Sequence, residues 1–233
     1  MAASPPILDS STVLLVGMND CLTQFATTLK RRTDANVQHV RTKTEAIGIV
    51  RKQPTDCLIS EYALDETTGL DLLREIREET SALPVLLGTT TGSEAIASEA
   101  IEAGVTDYIV LSDPAAQMTD ELTERTGRAI RAAQQSATNR ERARQFDAMF
   151  NDSRTATWVL DPEGVLARVN ETAREMVDDD IDTIIGEPFW TLPWWSQAGA
   201  TNTDVHQLVE KALNGSFGKA VVPQPPEADE QRV

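Results

Sequence analysis

This chain is poor in several kinds of residue. Its 233 residues include two cysteines, Cys21 and Cys57, far apart and in no CxxC pair. That excludes a disulfide framework or a cysteine-built zinc site and fits a reducing cytoplasm, the expected location. Lysine is scarce as well, with five against sixteen arginines, and 37 acidic side chains outnumber 21 basic ones for a net charge of −16. Nonspecific attachment to nucleic acid or to an anionic membrane needs clustered positive charge, so neither partner is expected. No apolar run approaches the roughly 20 residues of a membrane span. The start, MAASPPILDSS, has no basic segment followed by an apolar core, so no secretory signal is visible. Few lysines, many carboxylates and only 5% aromatic residues are the pattern of a protein adapted to high salt, where carboxylates keep the surface hydrated. An ordinary acidic cytosolic protein is the alternative.

The 40% of apolar residues suffice for a core, and the length suits one large or two modest domains. Charge divides the chain in three. Residues 1–113 carry net −8, residues 114–150 net +1 and residues 151–233 net −9. The middle zone has Pro114 near its start and Gly127 as its one glycine, so it is read as one long helix connecting two acidic bodies. In the first zone, continuous apolar runs (Val13–Val16, Val37–Val40, Cys57–Ile59, Val85–Leu87 and Tyr108–Val110) alternate with helical stretches at Leu22–Leu29, Glu45–Val50, Gly69–Ile76 and Glu94–Ala103. Unbroken apolar strands mean burial on both faces. Strands alternating with helices predict a five-stranded parallel sheet, doubly wound and flavodoxin-like, with its site at the carboxyl ends of the strands near Gly17, Glu61, Thr89 and Leu111.

Residues 12–135 resemble the receiver domain of response regulators. The stretches that carry the resemblance are Val13-Leu-Leu-Val16, Asp56-Cys-Leu-Ile-Ser-Glu61-Tyr, Thr68-Gly-Leu-Asp-Leu-Leu73, Leu83-Pro-Val-Leu-Leu-Gly-Thr89, Gly92–Ala100 and Ala103-Gly-Val-Thr-Asp-Tyr108. A working receiver transfers a phosphoryl group to an aspartate. It needs a Mg²⁺ held by a carboxylate pair, a hydroxyl and a lysine around that acceptor. By the resemblance, the pair positions are Gly17 and Met18, the acceptor position Glu61, the hydroxyl Thr89 and the lysine position Leu111. Only Thr89 keeps the family's residue, so Mg²⁺ binding is not expected. Glu61 also carries its carboxylate about 1.5 Å farther from the backbone than aspartate would, which spoils in-line attack. A pseudo-receiver is therefore expected, with Glu61 either a permanent mimic of the charged state or a surface acid at a vestigial site. Asp20 is a candidate metal ligand, although Asn19 or Asp20 as a helix cap is the simpler and preferred reading. Thr89 serves alternatively to start the following loop. Tyr108 falls at the family's switch and interface position and reads alternatively as packing.

From Phe146 the sequence changes character, and all four tryptophans lie beyond it. Phe146-Asp-Ala-Met-Phe150, Thr157–Asn170 with its Asp161-Pro-Glu-Gly164 turn, and Ile185-Gly-Glu-Pro-Phe189-Trp190-Thr-Leu-Pro-Trp194-Trp195 resemble the start of a PAS domain of the kind found in haloarchaeal sensors. Two strands, a helix capped by Asn170 and a long helix at Val205–Leu213 are implied. The resemblance makes this an incomplete α+β domain, either truncated or completed by a partner. Trp158, Phe189, Trp190, Trp194 and Trp195 are candidate pocket residues, or else core. His206 is the one candidate axial ligand for haem, though a surface histidine is the simpler reading, and no cofactor is expected.

The expected division is a disordered start at 1–11, a receiver-like domain at 12–118, the last receiver helix and linker at 119–145, a truncated PAS domain at 146–222 and a disordered tail at 223–233. The approximate helical stripe through Leu122, Ala129, Ala133, Ala143, Phe146 and Phe150 is interrupted by Ser136, Asn139 and Arg140. It supports weak self-association or a solvated spacer, not a strong coiled coil. The expected function is two-component signalling by protein contact rather than catalysis, with a sensor kinase, a regulator or a second copy as partner. The copy would meet the receiver face or the linker helix. The alternatives are a fragment of a haloarchaeal sensor histidine kinase or of a PAS-containing transcription regulator. Neither His39 nor His206 lies in a helical phospho-acceptor box, and no basic recognition helix is present.

Overall fold

The computed structural model describes residues 8–111, 115–175, 181–193, 195 and 202–219. Packing divides the chain into two units, 1–140 and 141–233. In the first, five strands, β1 (Thr12–Val16), β2 (Asn36–Val40), β3 (Cys57–Glu61), β4 (Val85–Thr89) and β5 (Asp107–Val110), form one parallel sheet in the order β2-β1-β3-β4-β5. Helices α1 (Asp20–Arg32), α2 (Lys43–Val50), α3 (Gly69–Glu79), α4 (Glu94–Glu102) and α5 (Ala115–Phe150) connect and follow them. This is the doubly wound architecture implied by the unbroken apolar runs.

Strand periodicity explains the two cores. Val13 and Leu15 of β1 point to one face, where Phe25 and Leu29 of α1 and Met118, Leu122 and Ile130 of α5 cover them. Leu14 and Val16 point to the other, packed with Ile47 of α2, Leu70, Leu73 and Ile76 of α3, and Ala100 of α4. Helices α1 to α4 each begin where a short polar side chain satisfies their first N–H groups. Asn19, Thr42, Thr68 and Ser93 are the caps, and Thr42–Glu45 and Thr68–Asp71 close reciprocal capping boxes. The hydroxyls of Thr68 and Thr67 and the Thr68 N–H hold the Asp71 carboxyl down at about 2.

The start of the chain differs from expectation. Leu8 is fully buried in the core and Ser11 is buried, its carbonyl accepting the Asn36 N–H at 2.9 Å. Order thus reaches back to residue 8, inside the segment 1–11 expected to be disordered. Residues 1–7 and 223–233 lie outside the described residues.

The second unit contains an antiparallel pair, β6 (Trp158–Leu160) and β7 (Leu166–Val169), short helices α6 (Glu171–Glu175) and α7 (Ile181–Ile184), a 3-10 turn at Phe189–Thr191, and α8 (Asn202–Leu213). Asp161 makes the turn between the strands by accepting the N–H groups of Glu163 and Val165 through its side chain, each at 2.9 Å. Fully buried Asn170 ties the unit together. Its Nδ2 donates to the carbonyls of Phe150 and Thr155, each at 2.7 Å, and its Oδ1 accepts from the N–H groups of Thr157 and Ala173, each at 2.9 Å. All four hydrogen-bonding positions of the amide are used, joining the end of α5, the entry to β6 and the start of α6. Arg168 lies over the rings of Phe146 and Phe150, 5.3 and 4.9 Å from their centroids, and bonds Asp147 at 3.1 Å. Asn170→Ala is expected to cost about 2–4 kcal/mol, because it orphans four main-chain groups, two of them buried. Urea unfolding followed by tryptophan emission measures this directly, since the tryptophans, at 158, 190, 194 and 195, all belong to this unit. A cost no larger than that of Thr172→Ala would contradict it.

Candidate functional site

The carboxyl ends of β1, β3, β4 and β5 bring Gly17, Met18, Glu61, Thr89 and Leu111 to one edge of the sheet, as expected from the topology. Their side chains do not converge there. Gly17 has a φ of +133°, a region that favours glycine, and a Cβ on it would lie 2.5 Å from Glu61 Oε1 and 2.7 Å from Glu61 Cγ. The longer acid thus fills the volume that a side chain at position 17 would occupy. Its Oε1 accepts the Asn19 N–H, and the Met18 N–H also bonds the carboxylate. Half-burial pushes the Glu61 carboxyl above the ordinary glutamate range. The Asn19 and Met18 N–H groups and nearby His39 oppose that rise, while Asp65 adds to it.

The other positions are committed elsewhere. Leu111 is buried, turned into the core with Met118 and Leu122, with its Cδ1 2.9 Å from where a Cβ on Gly88 would stand. The Thr89 hydroxyl exchanges two 3.2 Å bonds with the Thr91 main chain, which is the loop-starting role. Met18 is half exposed and contributes only its N–H. Tyr108 packs against the core between the sheet and α2, α3 and α4. Its hydroxyl is buried beside Gly92 without a hydrogen-bond partner among the described residues. Asn19 caps α1 by accepting the Cys21 N–H at 2.7 Å, and Asp20 is the first residue of that helix.

A divalent cation does not fit these residues. Positions 17 and 18 offer no carboxylate, and the Glu61 carboxylate is turned onto main-chain N–H groups. Among the described residues no three His, Cys, Asp or Glu side chains gather as metal ligands. Two participants were not singled out from sequence. His39 Nε2 lies 2.9 Å from the Gly17 carbonyl oxygen, and Gly88 makes room for Leu111. Glycines at 17 and 88 opposite an oversized acid and an inward leucine were the available signal.

In the second unit, Trp158, Phe189 and Trp195 pack against the core of Leu166, Val169, Ala173, Ile181, Ile184 and Leu192. Phe189 lies 6.3 Å from Trp158 and 5.1 Å from Trp195, ring to ring, and the Trp195 indole donates to the Phe189 carbonyl at 2.7 Å. Trp190 meets His206 edge-on at 4.4 Å. Trp194 lies outside the described residues.

The model of the response regulator receiver domain matches residues 13–123. Chemotaxis protein CheY-3 of Vibrio cholerae is 33% identical over 89 residues, 37% of this chain and 68% of that protein. The chain belongs to the response regulator receiver family. The probable transcriptional regulatory protein TcrX of Mycobacterium tuberculosis is 30% identical over 98 residues, 42% of each chain, so the match spans less than half of that relative. Among solved structures, the receiver domain of an HD domain-containing protein from Pseudomonas fluorescens aligns with 54% of this chain and 98% of its own, at 20% identity and a TM-score of 0.48.

Within the receiver, Gly17 and Glu61 should be energetically coupled. Gly17→Ala in the parent is expected to cost about 2–4 kcal/mol, from the collision plus backbone strain. In Glu61→Ala the collision is gone and only the strain, about 1 kcal/mol, should remain. Denaturation of the four-member cycle by far-ultraviolet circular dichroism measures the difference. Equal costs in both backgrounds would refute the coupling.

Proposed function

We propose that this protein is a two-component signalling component whose receiver is a pseudo-receiver, acting by contact with a sensor kinase, a regulator or a second copy of itself rather than by phosphoryl transfer. The supporting observation is the direction of Glu61. Its carboxylate bonds the N–H groups of residues 18 and 19 and fills the space over Gly17, while the Thr89 hydroxyl is bonded to Thr91. A mimic of the phosphorylated state would present its charge to the hydroxyl after β4 and to a cation after β5. Here the cation position is an inward leucine, so the arrangement favours a self-filled vestigial site over mimicry. Receivers are not typically catalytic, and nothing in this reading requires turnover, a cofactor or Mg²⁺.

The second unit is read as a PAS-like module fused through α5. The support is its strand–turn–strand opening, the helix started by Asn170 and the aromatic packing after Gly186. The net charge of −16 and the excess of arginine over lysine favour a salt-rich cytoplasm. Among the described residues no helix is long and apolar enough to cross a membrane.

Incubation with acetyl phosphate and Mg²⁺, followed by intact mass measurement, tests the central element. The expected result is an unchanged mass. A gain of one phosphoryl group that disappears in Glu61→Ala would overturn the pseudo-receiver reading.

A further inference from the structure

The second half of α5 is out in solvent on nearly every side. From Arg131 to Met149 every side chain except that of Ala133 is exposed, including Phe146 at 45% and Met149 at 78%. Arg168 lies over Phe146 and bonds Asp147 near its end, but a helix so exposed along the rest of this stretch is marginal in water, because most helical stability comes from packing. Local support is thin, with Gln145 Nε2 donating to Glu141 Oε1 at 3.0 Å. Along this stretch Ala132, Ser136, Asn139, Ala143 and Phe146 recur at alternating steps of four and three. That is the 3.5-residue period of a seam between two helices.

We propose that the partner across this seam is a second copy of the chain, with α5 packed in parallel on α5 along that row. Charge selects a copy over a foreign partner. The zone 114–150 carries net +1, whereas residues 1–113 and 151–233 carry −8 and −9. Two identical acidic chains repel least along this helix, while a basic partner would be drawn to the acidic bodies instead. The side chains select the parallel direction. Asn139 then faces its own counterpart, so the two amides hydrogen-bond each other and set the register. Arg142 and Asp147, five residues apart and flanking the row, face each other with opposite charge in a parallel pair. Asp147 also bonds Arg168 of its own chain at 3.1 Å, so that attraction is shared. Alanine and serine let the backbones approach closely, and Phe146 supplies an aromatic anchor at one end.

The row from Ala132 to Phe146 spans about 21 Å at 1.5 Å per residue. Such a seam buries less than the roughly 1,200 Å² of a standard interface, so the dimer should be weak. Salt screens the mutual repulsion of copies carrying −16 each, so association should tighten as salt is added. This surface is independent of whether residue 61 takes a phosphoryl group.

Sedimentation equilibrium of the full chain up to about 200 µM, in low salt and in molar KCl, reads the association. Dimers that strengthen with KCl are expected. Ala143→Glu should weaken them at least tenfold with unchanged circular dichroism. Mild oxidation gives the direction, because native Cys21 and Cys57 are buried and introduced thiols report alone. Ala143→Cys should cross-link to itself, as parallel pairing requires, and Glu141→Cys, on the far side of the helix, should not. The proposal is overturned by a monomer at the highest concentration in molar KCl, by a dimer indifferent to Ala143→Glu, or by equal cross-linking of the two cysteine variants.

Discussion

The receiver edge is organised around one carboxylate in a confined space. Glu61 ends β3 one methylene longer than an aspartate would, and that methylene lets the side chain lie over Gly17 and bond the N–H groups of Met18 and Asn19 just before α1. The consequences are mutual. Position 17 must be glycine, both for its φ of +133° and for the volume Glu61 takes. The loop before α1 is held from the β3 side as well as by its own Asn19 cap. Burial raises the proton affinity of the carboxyl, while the two N–H donors and His39 restrain that rise. So enclosed, the carboxylate accepts main-chain hydrogen bonds, and on the proposed reading that is its role in place of phosphoryl transfer.

A second adjustment accompanies the first on the far side of the edge. Leu111 replaces a cation with an apolar side chain, and Gly88 on the neighbouring strand leaves the room it needs. The two glycines thus act alike, each matching a larger neighbour across the sheet. A fold that buries both faces of its sheet tolerates such changes at the strand ends, where loops rather than the two cores absorb them. On the proposed reading, the receiver keeps a shape that other proteins dock on and gives up the charge array of a switch.

The strands and helices of the receiver were legible because the fold is locally consistent. Unbroken apolar runs such as Val13–Val16 permit only doubly buried strands, and Thr42 and Thr68 start helices with their capping boxes. The order of strands along the chain was legible, so Gly17, Glu61, Thr89 and Leu111 were expected at one edge of the sheet, where they lie. The direction of the Glu61 side chain was not, because a glycine at 17 registers in sequence as a lost carboxylate rather than as space gained. Leu8 was missed for a related reason: the pair Ile7-Leu8 after Pro5 and Pro6 is too short to carry a periodicity, although Leu8 is buried completely. Asn170 was identified as a cap, but its other three hydrogen bonds, to Phe150, Thr155 and Thr157, depend on a tertiary approach that no local pattern encodes.

In the proposed pseudo-receiver, the Glu61 side chain fills the acidic edge and leaves no seat for a divalent ion. Titration of the ¹⁵N-labelled full chain with Mn²⁺, followed by amide resonances, tests it most directly, since a seated paramagnetic ion broadens its neighbours. No selective broadening is expected at Gly17, Met18, Asn19 and Glu61 beyond that at exposed carboxylates elsewhere. Saturable broadening confined to these amides and to Thr89, and reversed by excess Mg²⁺, would contradict it.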